Sequence, residues 1–310
     1  MAIVKTDVPI TAESCDRMLL ALAEKYPFCR TETIGVTAYG RPIRALIMGN
    51  GERKVIYSAA HHANEWLTSL VLLKFAEELA EAIQNNGRIY GVLAKNVAAA
   101  STLYLIPMVN PDGVDLVVGA ILPESPPYEK AKELAAFYPD IPFPKGWKAN
   151  LLGIDLNLQY PAGWLQAREI KFLQGFTRPG PRDYVGRFPL SQPESRALAE
   201  FTEAIDPTLV LAYHSQGEVI YWQFQDYQVP GAEALAREFA RLSGYALEDT
   251  PYESSFAGYK DWFIKRFRRP GFTIEVGQGE NPLPLSQFDK IYADNLGILT
   301  TAALGLPGGV

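Results

Sequence analysis

The chain holds three histidines, His61, His62 and His214, and in His62-Ala63-Asn64-Glu65 an imidazole precedes a carboxylate by three residues. On one turn at a helix start, positions i and i+3 point the same way, so both groups can reach a single ion. A catalytic zinc takes about three nitrogen and oxygen ligands from the protein and leaves a further position for water. His62, Glu65 and His214 make up such a set. The spacing alone leaves plainer readings open. Glu65 is a carboxylate favoured in a first helical turn by the helix dipole, and His214 is a hydrogen-bonded histidine of the core. Glu275 is the fourth residue of interest. It lies among Phe272, Ile274 and Val276 on an apolar run, where a carboxylate without a partner is costly. The position therefore calls for a salt bridge or a catalytic task.

Short apolar runs and amphipathic stretches alternate around these residues. Helical spacing predicts helices at Thr11 to Tyr26, Trp66 to Ile83, Pro193 to Ile205, Gly231 to Ser243 and Ser286 to Thr301. Asn85, Asn86 and Gly87 supply a stop for the second, and Ser191 with Glu194 reads as a capping pair for the third. Arg44 to Met48 and Lys54 to Ala60, split by Gly49-Asn50-Gly51, read as a hairpin. Leu103 to Val109, Leu209 to Tyr213 and Phe272 to Val276 read as buried strands. Asn110-Pro111-Asp112-Gly113 reads as a turn. Residues 120–190 are rich in proline, glycine and aromatics, which predicts long ordered loops. Strands alternating with helices argue for a layered α/β sheet with helices on both faces. His62, Glu65, Asn110, His214 and Glu275 all fall at or just past strand ends, and open α/β sheets bind ligands outside the carboxyl ends of their strands.

The 310 residues are read as one domain, 1–310, without repeats or low-complexity tracts. Hydrophobic residues make up 48% and the formal charge is −6, which is globular composition and no match for nucleic acid or an anionic membrane. No apolar run is long enough to span a bilayer, and the first residues have no signal-like apolar core. The expected location is cytoplasmic. Cys15 and Cys29 are expected to be unpaired thiols. No feature specifies an oligomeric state.

From Gly40 to Leu299 the sequence resembles the zinc carboxypeptidases of the carboxypeptidase A type. HHANEW, LIPMVNPDG, GIDLN, YHS and FTIEVG appear in order and at matching separations. The resemblance implies a mixed, mostly parallel eight-stranded sheet flanked by helices on both faces. It implies one zinc per chain held by His62, Glu65 and His214, with Glu275 as general base. Asp155 of GIDLN matches the carboxylate that orients the first histidine, and such an outer bond fixes the tautomer and raises ligand basicity.

Two departures matter. The family's Asn-Arg pair for a C-terminal carboxylate is here Asn157-Leu158, and leucine cannot make the bidentate contact of a guanidinium. The arginine that polarises the scissile carbonyl is absent from Trp147 to Leu152, which leaves two readings: Lys148 substitutes for it, or the zinc polarises the carbonyl unaided. A narrower resemblance accounts for both. HHANEW, DLNLQYPAGW, PRDYVG and YESSFAGYKDWF look like the bacterial γ-D-glutamyl-meso-diaminopimelate peptidases, and Gln166 to Glu194 resembles that branch's insertion. The implied substrate is a cell-wall peptide or muropeptide with differently placed carboxylates, and Arg182, Lys260 and Arg178 are the candidate basic residues to meet them. Tyr252, with Tyr259 as the other register, resembles the family's mobile tyrosine. The rival expectations are a metallocarboxypeptidase of altered C-terminal specificity, a zinc acyl-amino-acid hydrolase, and a non-catalytic peptide-binding relative.

Overall fold

The computed structural model describes residues 2–306; of the span 1–310 read as one domain, residue 1 and residues 307–310 lie outside the described residues. The chain opens with α1 (Ala12–Lys25), whose first turn is closed by the Thr11 hydroxyl accepting from Ser14 N. Then come β1 (Arg30–Val36), β2 (Pro42–Met48), β3 (Arg53–Ala59), a single 3-10 turn (Ala63–Glu65) and α2 (Leu67–Gln84). A small ribbon of β4 (Arg88–Ile89) and β5 (Val92–Leu93) leads into α3 (Ala94–Ala100), β6 (Ser101–Ile106), α4 (Pro111–Val117) and α5 (Pro126–Ala135). The second half runs α6 (Trp164–Leu173), α7 (Pro193–Ile205), β7 (Leu209–His214), β8 (Val219–Tyr221), α8 (Ala232–Ser243), β9 (Ala246–Leu247), α9 (Tyr259–Phe267), β10 (Gly271–Glu275) and α10 (Phe288–Leu304).

Eight strands form one mixed sheet in the order β1-β2-β6-β3-β7-β10-β8-β9. Its centre, β6-β3-β7-β10, is parallel, with antiparallel β1 and β2 on one flank and β8 antiparallel to β10 on the other. The central strands are buried on both faces, which is why they read as continuous apolar runs. Alternation sorts their side chains. Val55, Tyr57, Leu211, Tyr213, Phe272 and Ile274 join the core with Leu72, Phe75, Phe239 and Leu299 from α2, α8 and α10. Ile56, Val210 and Ala212 join a second core with Leu198, Phe201, Trp262 and Phe263 from α7 and α9. Both cysteines are free and buried. Among the described residues, no helix is long and apolar enough to cross a membrane.

Four local expectations are corrected. The predicted hairpin does not form, because β6 lies between β2 and β3 and pairs with each. Gly49 and Gly51 serve that insertion instead: a Cβ on Gly51 would sit 2.1 Å from Ala100 C, and one on Gly49 2.2 Å from Ser101 O. Asn110-Pro111-Asp112-Gly113 is not a free turn but the start of α4, where Asn110 Oδ1 accepts from Gly113 N and proline takes the first helical position. The residue capping α7 is Gln192 rather than Ser191, whose hydroxyl is spent on Gln159 Oε1. Within 120–190, two helices, α5 and α6, interrupt the loops.

Candidate active site

At the end of β3 the chain turns sharply. Ala60 has φ +47, an uncommon conformation for a residue with a Cβ, and its backbone N–H donates to Thr68 Oγ1. The turn sets His62 as the cap of the Ala63–Glu65 turn, so residues 62 and 65 face one point. His214 closes β7. His62 Nδ1 lies 2.8 Å from Glu65 Oε1, His214 Nδ1 lies 2.9 Å from Glu65 Oε2, and the two Nδ1 atoms are 3.1 Å apart. Candidate ligand atoms of the three residues all fall within 4.8 Å of one another, and all three residues are buried.

That donor set fits a divalent cation. Each neutral imidazole offers one N–H, yet here two ring nitrogens crowd each other while both carboxylate oxygens face them. The buried His214 Nε2 has no hydrogen-bond partner. Glu65 is held well below the usual carboxylate range: burial opposes this, and the two facing imidazoles outweigh it. His61 stays outside the set. Its ring stacks on His214 at 5.4 Å between centroids, and burial keeps it neutral.

Asp155 stands behind His62. Its Oδ1 is 3.3 Å from His62 Nε2 and accepts from Asn157 N, while Oδ2 accepts from Asp183 N. Although burial works against its charge, the neighbouring His62 and lysines hold Asp155 below the usual range. Ser215 N donates to Glu65 Oε2 at 3.3 Å, and Lys148 Nζ lies 3.9 Å from Glu65 Oε1. Burial opposes a charge on Lys148, but Glu65 and Asp155 outweigh it and raise the amine above its usual value.

Glu275, at the end of β10, is paired in register with His214. Burial, then the negative charge of Glu65, pushes its carboxyl up to about 8. A divalent cation among the neighbouring ligands would draw that value down again.

Two cavities meet at this point. One of about 190 Å³ is lined by His62, Asn157, Thr250, Lys260, Asp261 and Thr273. The other, of about 470 Å³, is lined by Asn64, Glu65, Asp140, Arg182, Glu280 and Asn281, among others. Lys148, Tyr221 and Glu275 line both. The result is a two-lobed cleft.

Several candidates from the sequence converge on it and others do not. Arg182 reaches the larger lobe, half-exposed, with its Nε 2.5 Å from Asp183 Oδ2. Lys260 is buried rather than solvated, 2.7 Å from Asp261 Oδ1, on the wall of the smaller lobe. Asn157 lines the same lobe and accepts from Tyr259 N. Arg178 stacks over Phe137 and lines neither lobe. Tyr259 is a core residue bonded to Thr202, whereas Tyr252 is 67% exposed against Phe256, in a groove sharing Thr250 and Asp261 with the smaller lobe. Leu158 is buried in the second core. Sequence reasoning missed Tyr221, which carries no motif and is placed by β8, and Asn281, which exchanges two hydrogen bonds of 2.7 Å with Ser215.

The family model for zinc carboxypeptidases matches residues 15–297. A γ-D-glutamyl-L-diamino acid endopeptidase of Lysinibacillus sphaericus is 43% identical over 279 residues, 89% of this chain and 68% of the relative. An uncharacterised Bacillus subtilis protein, YqgT, is 36% identical over 289 residues, 93% of this chain and 75% of its own length. Among solved structures, thrombin-activatable fibrinolysis inhibitor shares the fold with a TM-score of 0.76 at 18% identity, covering 98% of this chain and 76% of that one.

Proposed function

We propose, from the premise that this chain belongs to the zinc carboxypeptidase family, that it hydrolyses an amide bond of bacterial cell-wall peptides, the one joining the γ-carboxyl of D-glutamate to meso-diaminopimelate. In this reading the chain is one catalytic domain that takes one zinc. The observation that carries it is the convergence of His62, Glu65 and His214 on one point beside Glu275. The name of the Lysinibacillus relative supports the substrate class.

His62, Glu65 and His214 would hold the metal, and Asp155 holds the His62 ring by its far nitrogen. Bound there, zinc acidifies water to a pKa of about 7 and polarises a carbonyl oxygen. Glu275 accepts the proton of the attacking water and returns it to the departing amine. Lys148, close to Glu65 and Glu275, brings positive charge to the developing oxyanion, a task electrostatics performs well in a water-poor site. The larger lobe has room for the glutamyl side of the substrate, where Arg182 meets a carboxylate. The smaller lobe takes the leaving diamino acid against Asn157 and Lys260, and Tyr252 covers the outer end.

The buried Leu158 argues against ordinary C-terminal exopeptidase action, because among the described residues no arginine lines the smaller lobe beside Asn157. Incubation of the zinc-loaded protein with L-Ala-γ-D-Glu-meso-diaminopimelate and with N-acylated α-dipeptides decides between the two. Release of free diaminopimelate supports the proposal, and C-terminal residues freed from the α-dipeptides alone would replace it with a carboxypeptidase.

A further inference from the structure

We infer that Asp183 and Lys171 form a positioning pair that aims Arg182 at the substrate. The inference rests on the proposal that Arg182 meets the carboxylate on the glutamyl side. Asp183 is a junction of three contacts. Its Oδ1 lies 2.8 Å from Lys171 Nζ on α6, its Oδ2 lies 2.5 Å from Arg182 Nε, and its backbone N–H donates to Asp155 Oδ2 at 3.3 Å. Asp183 itself sits in the left-handed region, with φ +63, where aspartate and asparagine are enriched.

Lys171 and Asp183 are both buried. A buried ion pair is a poor source of stability, since desolvation cancels much of the attraction, so the arrangement calls for another purpose. The division of oxygens supplies one. Left alone, a carboxylate next to an arginine grips the guanidinium through two parallel bonds. That grip would take up the fork a substrate carboxylate needs. Here Lys171 occupies one oxygen, so Asp183 reaches Arg182 through Nε, and the terminal guanidinium nitrogens remain for the larger lobe. Arg182 is tethered without being consumed. The same residue's backbone braces Asp155, so the loop that aims the cation is also the loop behind His62.

Steady-state kinetics on two γ-D-glutamyl-diaminopimelate peptides, one with the glutamyl α-carboxylate free and one with it amidated, test the inference. The wild type is expected to prefer the free carboxylate, and Arg182→Ala to erase the preference. Asp183→Asn keeps the backbone donor and tolerates the left-handed conformation. It should raise KM roughly 10- to 100-fold for the free-carboxylate peptide, change kcat less, leave zinc content intact, and add nothing in an Arg182→Ala background. Lys171→Met should raise the same KM, because Asp183 then captures the fork, and it carries the test should Asp183→Asn fail to fold. A full additional loss in the Arg182→Ala background, or an equal loss on both peptides, would overturn the inference alone. A wild type inactive on both peptides would overturn the proposed function and the inference together.

Discussion

His214 and Glu275 face each other across the parallel pair of β7 and β10, each the last residue of its strand. Val276 N donates to His214 O just beyond them. Sixty or so residues of intervening chain leave that relationship untouched because it depends on register, which the buried residues of the two strands enforce. Slipping either strand by one residue would turn its whole apolar set to the wrong core. The proposed proton acceptor is thus placed beside a metal-ligand candidate by strand register.

Glu275→Gln removes the proposed proton acceptor while keeping the shape of the side chain. Turnover of the γ-glutamyl peptide is expected to fall about 10²- to 10⁴-fold, with zinc content and substrate binding retained. Parallel kinetics and metal analysis check this. Loss of zinc in the variant would show that Glu275 acts as a ligand.

Asp155→Asn tests the support behind His62. The carboxylate is 3.3 Å from His62 Nε2, and replacing it weakens both the orientation and the basicity of the ring. Zinc affinity, measured by competition with a chelator, should drop roughly 10- to 100-fold. An unchanged affinity would assign Asp155 to loop structure, through its bonds from Asn157 N and Asp183 N.

Leu158→Arg would place a guanidinium beside Asn157, at a position that is buried here. Leu158 packs in the second core with Leu156 and Tyr160, where burying a guanidinium is costly. The expected result is a loss of a few kcal/mol in stability, read by denaturant unfolding, without new activity on C-terminal carboxylates.

Glu194 gives the fold a pH dependence separate from the active site. Burial, then the charge of Asp112, raises its carboxyl from the ordinary 4.5 to about 7, against hydrogen bonds from its own amide, Asn150 and Ala38. The folded protein therefore holds this proton while the unfolded chain has lost it, and stability falls as pH rises between those two values. Glu194→Gln removes that penalty. Its stability relative to the wild type should rise by on the order of 3 kcal/mol from pH 4.5 to above about 7. Unfolding curves at both ends of the range check the sign.

Much of this was legible in the residues. The central strands announced themselves because both their faces are buried, and α2 and α7 through their apolar spacing. The metal-ligand candidates were visible because histidine is scarce in this chain and the motifs around it are long. β1 was not visible: it is a largely exposed edge of mixed polarity, Arg30–Val36, paired on one side. The hairpin expectation failed because Gly49 and Gly51 signal a close approach as readily as a turn, and only the position of β6 distinguishes the two. Substrate contacts were least legible. A lysine or arginine has the same letter whether it is solvated, stacked like Arg178, or buried like Lys260.

Two imidazoles and one carboxylate, 149 to 152 residues apart in their long-range pairings, are proposed to bind a single zinc. Metal analysis of the purified wild type alongside His214→Ala, with X-ray absorption at the zinc edge, tests it most directly. One zinc per wild-type chain is expected, with imidazole nitrogens at about 2.0–2.1 Å, and a clear loss of metal in His214→Ala. Equal zinc in both proteins, or a zinc without imidazole ligands, would contradict it.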